Sequence, residues 1–173
     1  LPGFADVCQK VATAYRERSE DLAAQAGELR AAMLDSVPEA PTDRAVLDQA
    51  PLDAAEAMLA RAFDRRYGGF GAAPKFPHPT DLAFLLHRGA AAREMALTTL
   101  RRMGEGGIYD QIGGGFARYS VDERWEIPHF EKMLYDNGPL LGLCADAWEQ
   151  SHDRLFARVT EETAAWVMRE MQA

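Results

Sequence analysis

Apolar residues recur every three or four positions along most of the chain, and strict alternation is rare, so the pattern predicts helices nearly throughout. Phe4, Val7, Val11 and Tyr15 follow Pro2-Gly3 at helical spacing and give one stripe expected to be buried. The pattern continues weakly through Leu22, Ala26, Leu29 and Met33; one long helix, or two joined near Ser19, would satisfy it. Ser36 to Arg44 (SVPEAPTDR) has two prolines and no period, and reads as a linker. A helical segment follows from about Leu52 to Arg66, with Ala55, Met58, Leu59, Ala62 and Phe63 on one side. Tyr67 to Pro79 holds three glycines and three prolines in thirteen residues and cannot be regular structure. A third helix is expected to begin near Thr80 as N-cap, with Asp81 in its first turn, and to end near Gly89. A fourth covers about Ala90 to Met103 and stops at Gly104. A glycine-rich loop (residues 105–128) comes next, then two helices, one reaching about Ser151 and one starting at Asp153.

A short internal repeat crosses this pattern. Gly68-Gly69-Phe70 recurs 46 residues later as Gly114-Gly115-Phe116, and Pro74-Lys75-Phe76 recurs 54 residues later as Pro128-His129-Phe130. Each offset holds a helix pair and a loop. The fold class expected is therefore all-α, an array of αα-hairpins in which each pair buries its stripe on a neighbour.

Composition narrows the partners. The 173 residues are 47% hydrophobic and 27% charged, a globular balance. The net charge of −8, with no cluster of Lys or Arg, argues against nucleic acid. No apolar run approaches the roughly 18 residues of a membrane span, and no signal peptide is visible, so a cytoplasmic location is expected. Cys8 and Cys144 form no Cys-x-x-Cys pair; Cys144, among Leu140, Leu141 and Leu143, reads as a small buried hydrophobe. The chain starts at Leu1 and stops just after Trp166-Val167-Met168, inside an amphipathic pattern, and reads as a fragment of something longer.

Candidate chemistry concentrates in EIPHFEKMLYDNGPLL, residues 126–141, where His129, Glu131, Lys132, Tyr135, Asp136 and Asn137 interleave with Phe130, Met133 and Leu134. On an ideal helix His129, Lys132 and Asp136 would share a sector of about 60°. Pro139 opposes that helix, because it lacks an N–H and clashes with the carbonyl of Tyr135. The stretch therefore reads as a loop-to-helix junction. Asp136 or Asn137 would be N-cap and Pro139 would sit in the first turn. His129 and Glu131 would then project from a loop rim. Around Gly113-Gly114-Gly115, the residues Asp110, Arg118, Tyr119, Asp122 and Trp125 combine carboxylates, a guanidinium and aromatic faces, which suits a sugar-like ligand. The same residues could equally be a turn with ordinary surface charges. No P-loop, nucleophile elbow or zinc-ligand spacing is present, so neither metal nor cofactor is expected.

GGFGAAPKFPHP (68–79), GGIYDQIGGGFARYSVDERW (106–125) and PHFEKMLYDN (128–137) together resemble the thioredoxin-domain proteins that include bacterial YyaL and spermatogenesis-associated protein 20. The resemblance implies part of an (α/α)6 toroid of the six-hairpin type, preceded by a long helix from the end of a thioredoxin-like domain. Residues 1–35 would be that helix, 36–50 a linker and 51–173 the first hairpins. It implies kinship with N-acylglucosamine 2-epimerases and six-hairpin glycosidases, and hence a sugar or sugar-phosphate ligand. On that analogy His129, Glu131 and Asp110 are the catalytic candidates. Arg118, Tyr119, Trp125, Lys132, Tyr135, Asp136 and Asn137 are the substrate-binding ones. The competing expectation is a non-enzymatic scaffold, in which these residues interlock two glycine-rich loops. A homodimer through the face left open by missing hairpins is a further expectation.

Overall fold

The computed structural model describes residues 2–37 and 48–172. They divide into two units, Leu1–Leu47 and Asp48–Ala173. In the first, α1 (Phe4–Glu17) and α2 (Ser19–Asp35) are two helices, broken at Arg18, where φ is −134° and ψ is 35°. The stripe expected to be buried is instead exposed: Phe4, Val7, Val11 and Tyr15 are 43–85% exposed, because two helices by themselves enclose no interior. Most of the expected linker, residues 38–47, lies outside the described residues.

The second unit holds α3 (Ala50–Ala62), α4 (Pro79–Leu86), α5 (Ala90–Glu105), α6 (Leu134–Ser151) and α7 (Arg154–Glu170). α4 packs on α5 and α6 on α7, and the two pairs meet through α4–α6 and α5–α7 contacts. This is an all-α array of αα-hairpins. Its core runs through Leu82, Leu86, Leu100, Leu140, Phe156 and Val159. Burial of Cys144 pushes its thiol up to about 12, as befits a core hydrophobe.

Three helix ends depart from expectation. α4 begins at Pro79, not Thr80, behind His78 in the left-handed region (φ 48°). Gly104 lies inside α5 and faces α7, where an added Cβ would come 3.3 Å from Val159 Cγ2; its role is close helix approach, not termination. α6 begins at Leu134, with Met133 as N-cap, so Pro139 is an interior helix residue and neither Asp136 nor Asn137 is the cap.

The internal repeat is a repeated clamp. In the first copy the Asp64 amide donates to Gly69 O (2.9 Å), and the Gly68 amide donates to Asp64 O (2.8 Å). Asp64 Oδ1 accepts from the amides of Arg66 and Tyr67, and Oδ2 accepts from Lys75 Nζ at 2.6 Å. In the second copy the Asp110 amide donates to Gly115 O and the Gly114 amide to Asp110 O, both at 2.9 Å. Asp110 Oδ1 accepts from the amides of Ile112 and Gly113, and Oδ2 accepts from Lys132 Nζ at 2.7 Å. Each lysine also donates to the carbonyl of the first glycine, Gly68 (2.8 Å) or Gly114 (2.7 Å). Each second glycine has positive φ and lies under a tryptophan. An added Cβ would meet Trp125 Cζ2 at 2.5 Å from Gly69, and the Trp166 ring at 2.9 Å from Gly115. The counterpart of Lys75 is thus Lys132. The match of Lys75 with His129 by flanking residues is corrected by geometry.

Candidate functional site

Two short strands position the candidate residues. β1 (Tyr119–Ser120) pairs antiparallel with β2 (Pro128–His129), Tyr119 opposite His129 and Ser120 opposite Pro128. Asp122 holds the connecting turn by accepting from the amides of Arg124, Glu126 and Ile127 and from the Ser120 hydroxyl. Burial alone would raise its carboxyl, but these bonds outweigh burial and lower it.

Extended backbone sends successive side chains to opposite faces. Pro128, Phe130 and Lys132 line a cavity of about 330 Å³ together with Asp110, Ile108 and Ile112. His129 and Glu131 do not line it. They lie with Tyr119 and Arg118: the His129 and Tyr119 rings stack at 4.6 Å and 16°, and Phe76 packs on Tyr119 at 4.8 Å. Glu131 Oε2 accepts from Arg118 at 3.4 Å and sits 3.7 Å from His129 Nδ1.

Two polar atoms here are buried without a hydrogen-bond partner among the described residues, His129 Nδ1 and Asp136 Oδ2. Burial pushes the Asp136 carboxyl up, against the opposing pull of Arg118. That makes Asp136 the carboxyl in this region most suited to carrying a proton.

Asp110, Trp125, Lys132 and Asn137 are bonded into the fold. Amides of Gly113 and Ile112, with Lys132 between them in effect, hold the Asp110 carboxyl down to about 2, so Asp110 stays ionised and cannot donate a proton near neutrality. Trp125 is wholly buried; its indole donates to Tyr67 O (3.0 Å) and it offers no face to a ligand. Lys132 pairs with Asp110 rather than with Asp136, because residues 129–133 are not helical. Asn137 is wholly buried. Its Oδ1 accepts from the Phe116 amide (2.6 Å), and its Nδ2 donates to the carbonyls of Phe116 (2.9 Å) and Met133 (3.0 Å). Tyr135 is exposed. Phe76, part of the aromatic wall, was not among the candidates, although the repeated Pro-x-Phe had marked it.

The Asp110 clamp gives a pH signature. Its carboxyl is depressed relative to about 3.9 in an unfolded chain, so the stability it contributes is present above pH 4 and lost as pH falls towards 2. The stability gap between wild type and Asp110→Asn, followed by urea unfolding, is expected to shrink over that window. It should be small, because the side chain is 39% exposed and solvent screens it. A gap independent of pH would contradict the assignment.

No family model matches the chain. It is 43% identical over 123 residues to human spermatogenesis-associated protein 20, covering 66% of this chain and 16% of that protein. It is 36% identical over 185 residues to the rat protein of that name, covering 98% of this chain and 23% of the relative. An uncharacterised Caenorhabditis elegans protein is 48% identical over 106 residues, 54% of this chain and 14% of the relative. The chain thus spans less than a quarter of the length of these relatives.

Proposed function

Because this chain belongs to the spermatogenesis-associated protein 20 family, we propose that its hairpins form one sector of a carbohydrate-binding α/α toroid, with the ligand at the His129 face of the β1–β2 hairpin. The observation that carries the reading is the pair of partnerless buried atoms, His129 Nδ1 and Asp136 Oδ2, near an aromatic wall. Buried polar atoms are normally satisfied, and a hydroxyl-rich ligand would satisfy them. On this reading Phe76 and Tyr119 line the apolar side of a sugar ring, and Arg118 and Glu131 meet its hydroxyls. His129 takes a proton from a sugar carbon, Glu131 stabilises the imidazolium, and Asp136 is the opposing acid. Residues 1–35 are assigned, on the same family basis, to the end of the preceding domain. No helix among the described residues is long and apolar enough to cross a membrane.

A non-enzymatic scaffold is favoured by a different observation: Asp110, Trp125, Lys132 and Asn137 are tied into the fold. One experiment separates the two. The full-length protein is titrated calorimetrically with monosaccharides and sugar phosphates, and the titration is repeated with His129→Ala. The carbohydrate reading expects at least one ligand to bind and the variant to weaken it by about tenfold or more, with thermal stability unchanged. The absence of any bound sugar, or equal binding by the variant, would leave the scaffold reading.

A further inference from the structure

The two clamps are alike in their aspartates and glycines but not in what completes them. Lys75 is wholly buried and uses all three ammonium donors, on Asp64, Gly68 O and, at 2.9 Å, Glu123 O. Its backbone also pairs with Ser120, amide to carbonyl in both directions (2.8 and 2.9 Å). Ser120, at the end of β1, and the turn that follows it to Glu123 thereby close the first clamp from the next repeat. Lys132 has only two acceptors, its side chain is 19% exposed, and its own amide and carbonyl have no hydrogen-bond partner among the described residues. α7 supplies part of what is missing. Trp166 lies 5.2 Å from Lys132 Nζ, and Arg169 donates to Gly113 O, the position matching Tyr67 O in the first clamp. Among the described residues the third acceptor and the backbone partner are still lacking.

Beside Lys132 the 330 Å³ cavity opens between Phe130, 86% exposed, and Ile112, 99% exposed. Large apolar side chains left in water around a pocket with an unused donor mark an interaction surface. We propose that the Lys132 clamp docks a strand end and the turn after it, the counterpart of residues 120–123 in a further hairpin of the same design. One residue of that segment would pair through its backbone with Lys132, and a carbonyl three residues on would take the third ammonium donor. An apolar side chain of the segment would enter the cavity between Ile112 and Phe130. The relatives, more than four-fifths or three-quarters of whose length lies outside the match, have ample chain to supply it. As in strand addition, main-chain bonds would give affinity and a pocket selectivity, here through one bridging residue and the turn after it.

The test is an NMR titration of the chain with a blocked peptide of the sequence of residues 117–127. The expected result is saturable shifts of the Ile112, Phe130 and Lys132 amides. Lys132→Met and Ile112→Asp should each weaken binding by about tenfold. Ile112 is solvent-exposed, so its variant keeps the fold even if Lys132→Met does not. A peptide with proline in place of its serine lacks the bridging N–H and should not bind. The proposal is overturned by the absence of saturable shifts at millimolar peptide, or by shifts indifferent to Ile112→Asp. It is equally overturned if sodium acetate reproduces the response, marking a small-acid site, or if the same amides shift with protein concentration alone, marking a second copy.

Discussion

Replacing Lys75 with methionine is expected to cost about 3–5 kcal/mol, the range for removing one partner of a buried ion pair. The ammonium is enclosed between the Tyr67 and Trp125 rings, 5.9 and 5.5 Å away, and bonds to one carboxylate and two carbonyls. Methionine matches its length and leaves all three acceptors without a donor. Burial would raise the Asp64 carboxyl, but bonds from Lys75 and the Tyr67 and Arg66 amides outweigh it and hold the carboxyl low; the two amide bonds remain when Lys75 is gone. With a urea dependence of about 2 kcal/mol per molar, the unfolding midpoint should fall by about 2 M. A fall below about 0.5 M would mean that water reaches Asp64 and replaces the ammonium. The double variant Asp64→Asn, Lys75→Met should recover part of the loss, since it removes the stranded charge.

Asn137→Ala is expected to cost about 2–4 kcal/mol, because it leaves a buried N–H and a buried C=O of Phe116 unsatisfied and opens a void. Asn137→Asp is the sharper probe. It has the same shape, and its carboxylate still accepts from the Phe116 amide but cannot donate to the Phe116 carbonyl. Burial raises the carboxyl of such an aspartate above its unfolded value, so the variant is penalised at neutral pH and the penalty eases as pH falls and the group gains a proton. The gap in unfolding midpoint between Asn137→Asp and wild type should therefore narrow from pH 7 to pH 4. A constant gap would show that the carboxyl at this position is not raised by burial.

Helices were legible because their signals are local. Apolar spacing, Gly89 and Asp153 each act within a turn or two, and the observed elements follow them. Gly-Gly-Phe was legible as a repeat because its backbone conformation demands glycine at both copies. The clamp lysines were harder to align, since three more residues separate the second lysine from its proline. That shift let His129 occupy Lys75's apparent place. Pro139 misled for a related reason: nothing near it reveals that Asn137 is bonded to Phe116, 21 residues earlier, within a helix that has already begun at Leu134. The candidate site divided along β2 by the two-residue period of extended chain. His129 and Glu131 went to one face, and Lys132, with Asp110, to the other. Sequence had placed them in one group because it carried no signal for strand within a helical chain.

Lys75 and Glu123 are 48 residues apart, and that distance has a meaning in time. A ribosome adding about 5–20 residues per second delivers Glu123 some 2–10 s after Lys75. α5 ends at Glu105, so only over the last part of that interval, about 1–4 s, does the complete first hairpin exist with a lysine whose last acceptor has not been made. Each unit of such an array matures only when its successor has been made, so a stall or a premature stop just after α5 would release a hairpin with an unfinished seam. Quality-control factors that bind such seams would thus have a window set by translation speed rather than by the stability of the finished protein.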